Sequence, residues 1–140
     1  MVGYEEIIAV LGIVGIGGII ATSLTYVYEK RKQLKISEQA EKEKRYECIV
    51  VVMRAILYPD DIKHIKEKRR IPNLSVDDLK NEIRMEFYYS WLFASDDVVR
   101  TLKEFALKPD YFNYGKVLLA MRKDLWNKGT NLKAEECTAF

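Results

Sequence analysis

Few side chains in this sequence have types and spacing suited to chemistry. His64 is the only histidine, and Cys48 and Cys137 are the only cysteines. The cysteines stand far apart without a CxxC spacing, which excludes the common zinc patterns. A nucleophilic triad has one imidazole to draw on, and it sits among lysines and arginines. Neither the Gly-Lys-Ser/Thr phosphate loop nor the dinucleotide glycine fingerprint is present. The glycines between Gly12 and Gly18 lie in an apolar run, where a phosphate has no place.

Three acidic pairs stand out: Asp60-Asp61, Asp77-Asp78 and Asp96-Asp97. Two carboxylates can share a metal or divide acid and base roles. These pairs fall where helices are expected to start, and there carboxylates cap free N–H groups and oppose the helix dipole. The aromatic groups Phe87, Tyr88, Tyr89 and Trp91, and Tyr111, Phe112 and Tyr114, could stack on bases. Their helical spacing favours core packing instead. No catalytic residue, metal ligand or cofactor is expected, and the chain does not read as an enzyme.

The feature with the clearest binding chemistry is a basic run of Lys63, Lys66, Lys68, Arg69 and Arg70. It could rest on an anionic inner leaflet, each charge contributing about 1 kcal/mol near the surface. It could equally meet nucleic-acid phosphates, although nucleic acid is not the favoured partner. An ordinary solvated charge run is the plainer account.

These residues need elements to position them. Residues 7–28 carry no charge. As a helix they would span roughly 33 Å, enough for a hydrocarbon core of about 30 Å. Tyr4 stands at one end of the run, Tyr26 and Tyr28 at the other, as suits the headgroup layers. Lys30, Arg31, Lys32 and Lys35 follow directly, whereas only Glu5 and Glu6 precede it. The positive-inside rule then puts residues 1–6 outside and the rest in the cytoplasm. The acidic start and the length of the apolar run argue against a cleaved secretory signal. Gly17, Ala21 and Thr25 form one line of small residues, with Gly18 and Thr22 beside it. Such a ridge suits helix–helix packing, with another copy or another membrane subunit, and is also common in membrane helices generally.

The expected architecture is all-α. A single transmembrane helix, 7–28, continues into a charged helical stalk, 29–45, with a break near Ser37 as an alternative. A cytoplasmic bundle of about four helices then fills 46–140. All 23 Lys and Arg residues lie after residue 28, so the positive excess belongs to this part. Ile49, Val52, Met53, Ile56 and Leu57 recur at helical spacing, and residues 59–74 are the least regular stretch. Ser75 and Asp78 resemble a capping box for a helix reaching about Phe93, with Trp91 on its inner face. Ser95 is expected to cap the next helix, and Gly129 to follow a last main helix from Tyr111 to Trp126, with one short turn after Thr130.

Two segments carry a resemblance. Ser90-Trp91-Leu92-Phe93-Ala94-Ser95-Asp96-Asp97-Val98 and Met121-Arg122-Lys123-Asp124-Leu125 resemble those of a loose group of short prokaryotic helical proteins. These proteins often follow an N-terminal membrane anchor, and the likeness covers roughly Asp77 to Leu132. The group's pattern places a glycine soon after Asp-Leu, where this chain has Trp126 and Asn127. The resemblance implies a helical, membrane-tethered prokaryotic protein and brings no activity. The expected function is therefore a single-pass, membrane-tethered interaction module, an adaptor or accessory subunit with a protein partner or self-association. Binding of an anionic surface through Lys63–Arg70 is the alternative.

Overall fold

The computed structural model describes residues 3–138, with the side chains of Ile7, residues 10–16 and Thr138 outside the described set. The described residues form five α-helices and two short 3-10 segments, with no strand. The helices are α1 (Tyr4–Leu57), α2 (Ile62–Arg69), α3 (Val76–Ser90), α4 (Asp96–Leu107) and α5 (Tyr111–Trp126). The 3-10 segments are Pro59–Asp61 and Ala134–Thr138. Two compact units divide the chain, Met1–Ala40 and Glu41–Phe140.

The first unit is helical throughout its described part beyond Gly3. The Ser37 hydroxyl donates to the Leu34 carbonyl at 2.9 Å, so it caps no new helix, and α1 continues without a break there. Among the described residues, no helix is long and apolar enough to cross a membrane. Most of the apolar half of the run at 7–28, residues 10–16, lies outside the described side chains.

The second unit is built on the end of α1. Tyr46, Ile49, Val52, Met53 and Ile56 are buried, while Glu47, Cys48, Val51 and Arg54 face water. That is the 3.6-residue period of an amphipathic helix. Pro59 stops the helix, because a residue before proline is driven out of the α region; Tyr58 sits at φ −121°, ψ 86°. Residues 59–74 hold more order than their composition suggests. Ile62 and Ile65 are buried one turn apart and draw the basic run into α2. Arg70 closes α2 in the left-handed region at φ 55°, and the Ile71 N–H donates to the Lys66 carbonyl.

Leu79 and Ile83 of α3, Val98, Leu102 and Phe105 of α4, and Tyr114, Val117 and Met121 of α5 complete the core. The capping box opens α3 as expected: the Asp78 N–H donates to the Ser75 hydroxyl, and the Ser75 N–H to the Asp78 carboxylate. The Ser75 hydroxyl also donates to the Asp78 carboxylate at 2.7 Å, and this bond, then that of the Ser75 N–H, holds the Asp78 carboxyl below its usual range. Asp110 caps α5 through the Asn113 N–H. Ser95 stands at the start of α4, but its side chain makes no capping bond. At the end of α5 Asn127 takes the left-handed conformation, at φ 47°. Asparagine tolerates that conformation better than most residues, so the chain turns there, before Gly129.

The short turn after Thr130 is the 3-10 segment Ala134–Thr138, and it lies directly on α5. A Cβ at Gly115 would stand 2.2 Å from the Ala134 carbonyl oxygen. Only hydrogen fits, and the obstacle is backbone rather than a side chain that could swing away. Gly115→Ala should therefore lift the 3-10 segment at a cost of about 1–3 kcal/mol. Cys137 rides on that segment and is half-buried, while Cys48 is exposed and serves as an internal reference. In the full-length chain, the rate of Cys137 alkylation relative to Cys48 should rise several-fold. An unchanged ratio with unchanged melting temperature would show that the contact does not hold the segment.

Candidate docking surface

The end of α3 decides which aromatics are displayed. Ser90 is fully buried, and its hydroxyl donates to the Phe87 carbonyl at 2.6 Å. The Phe93 and Ala94 N–H groups both return to the Ser90 carbonyl, which makes a tight turn. That turn sends Phe93 inward, where it meets the Tyr46 ring at 5.8 Å with the Arg45 guanidinium 4.8 Å from its centre. Trp91 and Leu92 are left outside, 68% and 82% exposed. Trp91 is thus not an inner-face residue. The helix ends at Ser90, and the 3.6-residue spacing that pointed Trp91 to the core stops one position too early.

Phe87 ties the displayed rings together, 6.4 Å from Trp91 and 5.2 Å from Tyr88. Beside them α3 and α4 leave an open groove of about 350 Å³. Arg84, Phe87 and Tyr88 line one wall, and Lys103, Ala106 and Leu107 the other. Leu107 is 77% exposed. A smaller hollow of about 340 Å³ is lined by Arg122, Trp126 and Lys128. A contiguous apolar surface with a charged rim is how protein-docking sites differ from scattered surface leucines.

A polar knot holds these helices together. Asp124 of α5 receives Lys42 at 2.7 Å, the Tyr46 hydroxyl, and the Ser95 N–H at 3.3 Å. Its side chain is 11% exposed. Burial alone would raise its pKa; the hydrogen bonds from Lys42 and Tyr46, the Lys42 charge and the Ser95 N–H outweigh it, so the carboxyl titrates below its usual value. Burial, then the bond to Asp124, push the Tyr46 hydroxyl above the ordinary phenol range. Next to Asp124, Lys123 pairs with Asp97 at 3.1 Å. The segments Ser90–Val98 and Met121–Leu125 therefore meet in space. Arg45 faces Glu86 at 3.9 Å, and the buried Glu86 Oε2 accepts no hydrogen bond.

The basic run is divided by the fold. Arg69 is held by both Glu82 carboxylate oxygens, at 2.9 and 2.7 Å. Lys63, Lys68 and Arg70 are exposed, and Lys66, one turn after the buried Ile62, is half-buried. The acidic pairs serve as helix caps, first-turn charges and ion-pair partners: Asp61 meets Arg54 at 2.9 Å, Asp78 caps α3, and Asp97 meets Lys123. Among the described residues, no three His, Cys, Asp or Glu side chains come together as a metal site.

In the first unit Gly17, Gly18, Ala21, Thr22 and Thr25 are exposed on α1. The Thr22 hydroxyl donates to the Gly18 carbonyl at 2.8 Å, and that of Thr25 to the Ala21 carbonyl at 2.9 Å. Both hydroxyls are satisfied within their own helix, which makes this line compatible with an apolar surrounding. A Cβ at Gly17 or Gly18 would meet nothing within 4 Å. Lys30, Arg31, Lys32 and Lys35 are exposed, with Lys30 5.9 Å from the Tyr26 ring centre.

Sequence reasoning passed over the groove. It pairs exposed residues of α3 and α4, and spacing within either helix does not show which of them meet. No protein-family model, curated protein or solved structure matches this chain.

The charge on Asp124 sets a pH dependence. Its contribution to stability is complete above the unfolded carboxyl pKa of about 4, and fades as pH falls through the lower folded value. Asp124→Asn should cost about 1–3 kcal/mol at neutral pH, measured by denaturant unfolding of the full-length chain. The gap between parent and variant should narrow at pH 3. An equal gap at both pH values would rule out the electrostatic account.

Proposed function

We propose that this chain is a membrane-tethered interaction module whose helical second unit docks a protein partner at the α3–α4 groove. The observation that carries the reading is the groove's exposed Tyr88 and Leu107, with the exposed Trp91 ring against Phe87 of its wall, displayed on a unit that already has a full core. A folded domain gains nothing in its own stability from that exposure, whereas association would bury it. Support for the tether is the uncharged run 7–28, with Glu5 and Glu6 before it and Lys30, Arg31, Lys32 and Lys35 after it. In this reading the N-terminus lies outside the cell membrane and the second unit in the cytoplasm. The small-residue line at Gly17, Gly18, Ala21, Thr22 and Thr25 would pack against another membrane helix. The module acts as an adaptor or accessory subunit, without catalysis.

Two measurements on the full-length chain in cells test this. The protein should stay with membranes in alkaline carbonate, and Cys48 should react with an impermeant maleimide only after permeabilisation. A photo-crosslinker at Leu107 should give one discrete adduct, absent when the same group replaces the exposed Glu135. Release by carbonate would remove the tether. A smear or no adduct from Leu107 would remove the docking role.

A second reading is favoured by α2. With Arg69 committed to Glu82, the exposed Lys63, Lys68 and Arg70 and the half-buried Lys66 remain available around α2, which Ile62 and Ile65 anchor to the core. These cations would bind an anionic lipid headgroup layer. Replacing those four with Gln should abolish salt-sensitive binding of the protein to anionic vesicles, with the melting temperature held. Arg69→Gln should lower stability and leave vesicle binding nearly intact. Unchanged binding in the fourfold variant would exclude this surface.

A further inference from the structure

The docking reading leaves the chemistry of the partner open, and the groove itself narrows it. Its six lining residues include two cations and no carboxylate. Arg84 at one wall donates only to the neutral amide of Asn81, at 3.0 Å. Lys103 stands at the other wall, and Arg100 lies one turn before it on α4, exposed as well. Of the carboxylates on neighbouring turns, Glu104 pairs with Lys116, Asp97 with Lys123 and Glu82 with Arg69, while the buried Glu86 Oε2 faces Arg45 at 3.9 Å. The positive rim is therefore not neutralised from within the fold. Between the cations the floor is aromatic and aliphatic, formed by Phe87, Tyr88, Ala106 and Leu107.

Resting on that docking reading, we propose that the α3–α4 groove takes an acidic amphipathic peptide segment. The segment's apolar side chains fill the floor, and its Asp or Glu side chains meet Arg84 and Lys103. The groove's volume of about 350 Å³ is at the small end for an enclosed small-molecule site, and its open form suits side chains presented from a helix or extended strand. Rim charges steer encounter and select sign, while apolar anchors hold the bound state. A basic or uncharged partner would leave Arg84 and Lys103 facing like charge or losing water without a counter-ion.

The test uses the full-length protein in nanodiscs of zwitterionic lipid, so that anionic lipid does not compete. The probes are two dye-labelled amphipathic peptides built from Leu, Ala and Glu, or from Leu, Ala and Lys in the same order. The Glu peptide should bind saturably by fluorescence anisotropy, and more weakly as salt rises. Arg84→Glu combined with Lys103→Glu should weaken it at least tenfold and give the Lys peptide measurable affinity. Both positions are exposed, so the variant should keep the parent's circular dichroism and melting temperature. As a second variant, Leu107→Ala should weaken the Glu peptide without changing its salt dependence. Equal binding of both peptides, or a charge-reversed variant within twofold of the parent, overturns the acidic assignment. So does the absence of saturable Glu-peptide binding. A discrete Leu107 adduct in cells alongside any of those results would leave the docking surface standing, so the two failures are distinguishable.

Discussion

One carboxylate joins three parts of the second unit. Asp124 near the end of α5 takes a lysine and a phenol from α1 and a backbone N–H from the start of α4. Hydrophobic burial brings α1, α4 and α5 together, but apolar contact is tolerant of sliding. A carboxylate with three donors is not, because any shift leaves a partly buried charge short of partners. The knot therefore fixes the register of α1 against α5 in a unit whose single core includes Ile49, Met53, Val117 and Met121. It also ties down the Ser95 amide at the start of α4, where the Ser95 side chain caps no N–H of the helix.

That register is what makes the groove. With α4 held at its start, α3 must turn sharply after Ser90 to reach it. The turn buries Ser90, half-buries Phe93 and leaves Trp91 and Leu92 in water. Helix packing alone would have allowed α3 to run on and cover its own aromatics. The apolar display thus coincides with the turn at Ser90, the step that joins α3 to the knotted start of α4.

Much of the helical layout was legible in the sequence because its signals are local. The apolar period from Ile49, the Ser75–Asp78 box and the start of the last main helix at Tyr111 each rest on residues within a turn or two, whereas the cap that Asp110 gives that helix emerged only in the structure. What was not legible depends on long-range contacts. Lys42 and Arg45 read as members of a solvated charged stretch, yet each faces a carboxylate far along the chain, Asp124 and Glu86. Trp91 read as core because periodicity cannot show where a helix stops. The basic run read as uniform, and only the fold separates Arg69, bound to Glu82, from its neighbours. The groove pairs exposed residues of two helices, and no pattern within either helix announces such a pair.

The contact between Gly115 and Ala134 has a consequence for truncation. Ala134 is buried, and its carbonyl stands where any side chain at position 115 would be. A chain cut back to the end of α5 would lose that cover and leave the Gly115 surface open to water. The segment after Gly129 is therefore part of the folded unit rather than a tail that can be trimmed without effect.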